Sequence, residues 1–387
     1  MKPSKVRSIT KKLSLFLRHP ITRVVLIFLF WRIIIQVVVW WGDVKIGDAS
    51  NASQIRLEGN RILSAWAQWD SIYYHDLSLN GYKSGAFFPL FPWLMKATSF
   101  VVGNFSLLTA TLVSNFFALG SCIILYLLSN LSNDKEKSYR SVFYLLIFPA
   151  SFFLVAHYTE SVFLFFSLLS FYFFQKKRNV FAGIAGGVAC WTRTTGIFIY
   201  PALALGSLIK SFKPLKLEWR WKEQLSLAII PLSTASFLLY NKIVFGKPFD
   251  FLQAQSGFGR YIEPNIFKTV YSHCLVQFTR EKIMAEDAAN AFNYLLFFVL
   301  FVVFTYLIIK YSKSISYSVY ALLTAAIPIF SGTLISMNRF LLVLFPIYLI
   351  LPKIIKEGSI ADKLYSFASI SLMVLIMILF TNSHWVG

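Results

Sequence analysis

Apolar residues come along this chain in long, nearly unbroken runs: 24–41, 105–130, 141–174, 180–209, 224–245, 291–310, 317–351 and 364–380. A helix that crosses a bilayer needs about 17–25 predominantly apolar residues, so five of the runs predict one crossing each. The other three are too long for one pass, and each holds polar residues near its middle. These are His157-Tyr158-Thr159-Glu160 in 141–174, Thr192-Arg193-Thr194-Thr195-Gly196 in 180–209, and Ser336-Met337-Asn338-Arg339 in 317–351. Each long run is predicted to be two short helices turning at its polar centre. In 180–209 the halves are short, and one tilted helix is the alternative.

Charge separates the two. With three hairpins, the N-terminus and the connections 131–140, 175–179, 210–223, 310–316 and 352–363 share one side. They hold 23 Lys/Arg against 6 Asp/Glu, a net of +17. The two long segments on the other side, 42–104 and 246–290, each hold five basic and five acidic residues. A single pass over 180–209 would carry Lys210, Lys213, Lys216, Arg220 and Lys222 across and break that asymmetry. Basic connections mark the cytoplasmic side. The sequence therefore predicts an all-α polytopic membrane protein of 11 transmembrane helices, N-terminus cytoplasmic and C-terminus outside. It forms a single domain over 1–387 with outer segments 42–104 and 246–290.

Composition closes off the rival classes. Apolar residues are 57% of the chain and charged residues 14%, against about 45–50% and about 25% in soluble proteins. A net charge of +20 would point to nucleic acid in a soluble protein. Here most of it anchors one membrane face, so nucleic acid drops out as a partner. The first apolar run exceeds a signal-peptide core of about 7–15 residues and is taken as a retained span. Cys122, Cys190 and Cys274 lack metal-ligand spacing. Trp66, Trp69, Tyr73, Tyr74 and Tyr82 in the first outer segment suit an amphipathic layer at the membrane interface.

The remaining ionisable groups gather on the outer side. Glu160, Arg193 and Arg339 fall at hairpin tips, and Asp70 and Asp76 lie in the outer segment. Charges at the edge of hydrocarbon are expensive unless paired or used. Guanidinium groups clamp phosphate and stay charged at any working pH, while a carboxylate beside them serves as base toward a hydroxyl. Each residue also has a plainer reading. Asp70 can be solvated, Arg193 and Arg339 can reach the headgroups, and Glu160 can pair with either. His157 can be a hydrogen-bonded interfacial histidine, and Arg32 inside the first span can neutralise a carboxylate or a lipid phosphate. No HExxH, Walker loop or GxGxxG after a strand is present, so the common soluble-cofactor chemistries have no foothold.

The stretch Trp66-Ala67-Gln68-Trp69-Asp70-Ser71-Ile72-Tyr73-Tyr74, then Gly81-Tyr82, then Phe87-Phe88-Pro89-Leu90-Phe91-Pro92 resembles the WD…GY…FFPxFP signature of PIG-V-type mannosyltransferases. These are the enzymes that add the second mannose in GPI-anchor synthesis, together with shorter bacterial relatives. His157-Tyr158-Thr159-Glu160, Arg193 with Gly196, and Arg339-Phe340 followed by Phe345-Pro346 are similar to the family's later motifs, in the same order. The resemblance implies a GT-C-like fold and inverting transfer from a polyprenyl-phosphate sugar, mannose by default, on the outer or lumenal face. Asp70 stands where that superfamily places its base. Placement and resemblance together assign the donor phosphate to Arg193 and Arg339, with Arg32 assisting. Glu160, Asp76, His157 and Tyr158 support the acceptor or the base, and Trp66, Trp69, Tyr73 and Tyr82 contact sugar and prenyl tail. The acceptor is a lipid-linked or glycan hydroxyl, and the location a bacterial plasma membrane, or the ER membrane in a eukaryote. Arginines suffice without a metal or other cofactor, a divalent cation on Asp70 and Asp76 being the alternative. A secondary transporter or lipid flippase would also use many spans and buried charges. Such proteins place the site near the midplane within internal repeats, and no repeat is visible here.

Overall fold

Residues 19–45, 57, 59–103, 105–212, 215–217, 220–275 and 285–386 are described in the computed structural model. The basic residues of the predicted cytoplasmic terminus before His19 lie outside them. Five helices are long and apolar enough to cross a membrane: Pro20–Val44, Ser106–Ser132, Trp221–Phe245, Asn290–Tyr311 and Ile360–Thr381. They coincide with the five single-pass runs.

The three long runs break where their polar residues sit. Run 141–174 becomes Lys135–Leu146 and Glu160–Gln175. Between them lies Pro149, which cannot supply the N–H that a continuing helix needs, and then the tight turn Ser151–Leu154. Run 180–209 becomes Asn179–Cys190 and Ile199–Leu208, with Arg193 extended between them at φ −157° and ψ 152°. One tilted helix is therefore not what forms. Gly196 makes that turn, because a Cβ there would stand 2.7 Å from Cys190 Cα and force the halves apart. Run 317–351 gives three pieces rather than two: Ile315–Phe330, Met337–Leu342 and Pro346–Ile354. Left-handed Ser336 opens the middle piece and Pro346 the last, so Arg339 rides on a short helix of its own. The connection after Ile199–Leu208 also departs from a plain loop, as Ile209–Phe212 pairs antiparallel with Leu215–Leu217.

Every residue from Ser336 to Pro352 is buried, which puts the Arg339 helix at the centre of the packing. Glu160–Gln175 lies beside it in the chain's core and packs against Ser106–Ser129 and Asn179–Cys190. Phe30, Ile33 and Trp40 of the first helix are more than 60% exposed, at 68%, 63% and 63%. An apolar face that broad is one that lipid covers. The chain is an integral membrane protein of helical build.

Candidate active site

Four charged side chains from four separate elements meet. Asp70 precedes the helix Ser71–Asn80, and Glu160 opens Glu160–Gln175. Arg193 lies in the break after Asn179–Cys190, and Arg339 lies on Met337–Leu342. Arg339 donates from Nη1 to Asp70 Oδ2 at 2.7 Å and from Nε to Glu160 Oε1 at 2.5 Å. Arg193 Nη1 donates to the same Glu160 oxygen at 2.5 Å. Two cations thus balance two anions. The Arg339 guanidinium lies 4.4 Å from the centre of the Tyr158 ring, and the Tyr158 hydroxyl donates to Gln68 O at 2.9 Å.

The two acids differ in access. Glu160 is fully buried, whereas the Asp70 side chain is 30% exposed and lines a cavity of about 910 Å³. Asp70 is the sole carboxylate other than buried Glu160 in this cluster, and among the described residues no other acid lines the cavity. The walls also include Tyr74, Phe87, Thr192, Arg193, Arg260, Arg339, Phe340 and Trp385. Of the readings the sequence left open for Glu160, pairing is the one seen: it engages both arginines and is not among the residues that line the cavity.

Arg260 was not anticipated. Its Nη2 donates to Ile335 O at 3.2 Å, and its guanidinium lies 5.8 Å from the Phe340 ring, which Arg193 approaches to 5.2 Å. Among the described residues it has no carboxylate partner. Burial lowers it to about 10, so it remains cationic at neutral pH. Nothing local distinguishes it from Lys247 or Lys268 in a segment whose charges cancel.

Several expected residues lie elsewhere. Arg32 is not at the cavity: it donates to Asn115 Oδ1 at 2.9 Å and Gln36 Oε1 at 2.8 Å, and lies 5.0 Å from the Trp66 ring. Asp76 is exposed and accepts from Asn80 at 2.6 Å. Six helical positions, at about 100° each, turn it to a different face from Asp70. Trp66 is buried with its Nε1 donating to Gln36, Tyr73 stacks on Phe87 at 4.6 Å, and Tyr82 donates to Phe87 O. None of these three lines the cavity, and Trp69 reaches it only through Trp385, at 4.9 Å. The aromatic walls are instead Tyr74, Phe258, Tyr261, Phe330, Phe340 and Trp385 beside the Phe87–Phe88 pair.

His157 is a structural link. The Thr111 hydroxyl donates to Leu107 O at 2.8 Å, so at 2.9 Å it accepts from His157 Nε2. His157 Nδ1 then accepts from His75 Nε2 at 3.0 Å. Burial lowers His75 from 6.5 to about 4, so the folded chain keeps it neutral while the unfolded chain takes a proton near 6.5. Stability is expected to fall as pH drops from 6.5 toward 4. The unfolding midpoint of the detergent-solubilised protein, followed over that range, should show a shallower loss in His75→Asn.

The family described as mannosyltransferase (PIG-V) matches residues 20–256. GPI mannosyltransferase 2 of Schizosaccharomyces pombe is 32% identical over 171 residues, covering 42% of this chain and 37% of that protein. GPI mannosyltransferase 2 of Candida albicans is 31% identical over 121 residues, covering 30% of each. The matched stretches thus span about a third of those relatives' length. Among solved structures, ArnT from Cupriavidus metallidurans bound to undecaprenyl phosphate superposes with a TM-score of 0.50 at 10% identity, over 92% of this chain and 76% of that one. At that identity the likeness is one of fold alone. With its WD, GY and FFPLFP motifs inside the matched stretch and its Asp70 at the cavity wall, the chain belongs to the PIG-V mannosyltransferase family.

Proposed function

We propose that the chain is a membrane glycosyltransferase that moves a sugar, by default mannose, from a polyprenyl-phosphate donor to a hydroxyl acceptor with inversion. The observation that carries this is Asp70, the one carboxylate among the described residues that lines the cavity, set there by Arg339 beside Arg260, a guanidinium with no carboxylate bonded to it among the described residues. Asp70 Oδ2 is engaged by Arg339, which leaves the other oxygen to accept a proton. The acceptor oxygen bonds to the anomeric carbon as the bond from that carbon to the phosphate oxygen breaks. The hydroxyl proton passes to Asp70, and the bonding electrons leave on the lipid phosphate. Fixed positive charge aimed at the departing oxygen lowers the barrier without reorganisation. Charge balance across the basic connections supports eleven passes, with the cavity on the outer or lumenal side.

Arg193 and Arg339 keep N–H donors at the cavity, but Glu160 and Asp70 already balance their charge. The contact therefore falls first to Arg260, with Arg193 next to it on Phe340. A hydrogen bond to a charged group contributes about 1.5–3 kcal/mol. Arg260→Ala is accordingly expected to raise the donor KM by about 10-fold or more, and Arg260→Lys to recover part of it. Steady-state transfer at varied donor concentration checks this.

The function itself is tested with purified protein, labelled polyprenyl-phosphate mannose and a panel of hydroxyl acceptors. Labelled product together with released polyprenyl phosphate is the expected result. Absence of transfer, with lipid or solute movement in sealed vesicles instead, would return the molecule to the transporter class.

A further inference from the structure

Asp70 directly follows a residue in left-handed backbone, and Arg339 lies three residues after another. Trp69 has φ 52° and Ser336 has φ 65°. Outside glycine such a conformation costs on the order of 1–3 kcal/mol and persists only where its surroundings over-determine it. The end of the last helix and the segment that follows it, residues 381–386, reach both sides. On the Asp70 side, Ser383 Oγ donates to Gln68 Oε1 at 2.8 Å, and Gln68 Nε2 donates to Thr381 O at 3.3 Å. The Trp385 ring meets Trp69 edge-on at 4.9 Å and 79°. On the Arg339 side, Asn338 Nδ2 donates to Val386 O at 3.0 Å, while Asn338 Oδ1 accepts the backbone N–H of Arg339 at 2.8 Å. The segment is itself fixed, since Asn293 Nδ2 also donates to Val386 O at 2.7 Å and Trp385 Nε1 donates to Tyr294 Oη at 3.0 Å.

We propose that residues 381–386 are a positioning element for the transfer reaction, which sets the Asp70 carboxylate against Arg339 and completes the cavity wall beside it with Trp385. The segment lies outside the stretch that matches the family, which ends at residue 256. Gln68 and Ser383 are 0% and 1% exposed, so no water competes for the bond between them. A base held by a strained residue is sensitive to the restraint on that residue. A shift of about 1 Å at a reacting group costs about 100-fold in rate. The inference rests on Asp70 acting as base.

The test uses the full chain carrying Trp385→Ala, Ser383→Ala or Trp385→Phe, assayed with polyprenyl-phosphate mannose and hydroxyl acceptors, with the unfolding midpoint measured alongside. Per folded molecule, Trp385→Ala is expected to lose about 10–100-fold in kcat and Ser383→Ala about 10-fold, with donor KM within about twofold. Trp385→Phe keeps an aromatic edge for Trp69 and loses only the bond to Tyr294, so it should return to within about threefold of the parent kcat. A purely structural cap would lower the midpoint and leave kcat per folded molecule alone. Parent kcat in both alanine variants, alongside an inactive Asp70→Asn, overturns the proposal. An active Asp70→Asn overturns the base assignment beneath it instead. If Trp385→Ala does not fold, Ser383→Ala and Trp385→Phe decide the matter.

Discussion

Replacing Asp70 with Asn is expected to lower sugar transfer by about 10²–10⁴-fold, the usual worth of a positioned general base. The change is nearly isosteric. An amide oxygen still accepts from Arg339 where the carboxylate now does at 2.7 Å, and the 30% exposed side chain removes little packing. What goes is the ability to take a proton from the acceptor. Removing one negative charge also takes the four-residue cluster from neutral to a net positive charge, which favours an anionic donor. Donor affinity is therefore expected to hold or to tighten slightly while kcat collapses. This split separates loss of a base from general damage, which would weaken both. Asp70→Glu keeps the carboxylate but carries it past Arg339 by one methylene, and intermediate rates are expected. Initial rates of transfer combined with equilibrium binding of labelled donor make the measurement. Transfer at the parent rate by Asp70→Asn would remove Asp70 from the reaction.

The membrane architecture was legible because hydrocarbon leaves the backbone few choices. A run of about 20 apolar residues must satisfy its own N–H and C=O groups, and a helix does that. Each of the five single-pass runs accordingly became one long helix. The breaks were legible for the complementary reason, that Glu160, Arg193 and Arg339 cannot sit unpaired in the middle of an apolar pass. Which partner each would find was not. Arg339 meets Asp70 across 269 positions and Glu160 across 179, and no local pattern encodes such distances. Tyr73 and Tyr74 are neighbours in the motif but stand about 100° apart on their helix. One stacks outward on Phe87 and the other lines the cavity, a choice that depends on helix phase. Arg32 found one partner within reach of sequence, Gln36 a turn away, and another, Asn115, only through packing. Arg260 was hidden by arithmetic, since a segment with zero net charge gives no reason to single out one of its cations.

Glu160→Ala is expected to damage the fold more than Asp70→Asn does. Glu160 is fully buried, and one of its oxygens receives both Arg193 and Arg339 at 2.5 Å. Without it, Arg193 has no carboxylate among the described residues, and Arg339 keeps only the partly exposed Asp70. Breaking a buried ion pair from one side typically costs about 3–5 kcal/mol, chiefly because the remaining charge stays buried without compensation. Glu160→Gln preserves shape and an accepting oxygen but not the charge, so it is expected to fall between the parent and the alanine variant. The origin of the loss can be isolated by removing a cation as well. Arg193→Ala in the Glu160→Ala background restores the balance of one anion and one cation, Asp70 with Arg339. The double variant is then expected to be more stable than Glu160→Ala alone, a strong departure from additivity of the kind that contacting charges produce. Unfolding midpoints and detergent-solubilised yields of the four proteins in the cycle provide the comparison. Simple addition of the two single losses would mean that shape, rather than charge balance, holds Glu160 in place. A rescued fold without rescued transfer would assign Arg193 a part in the reaction as well as in the pairing, since its guanidinium shares Phe340 with Arg260.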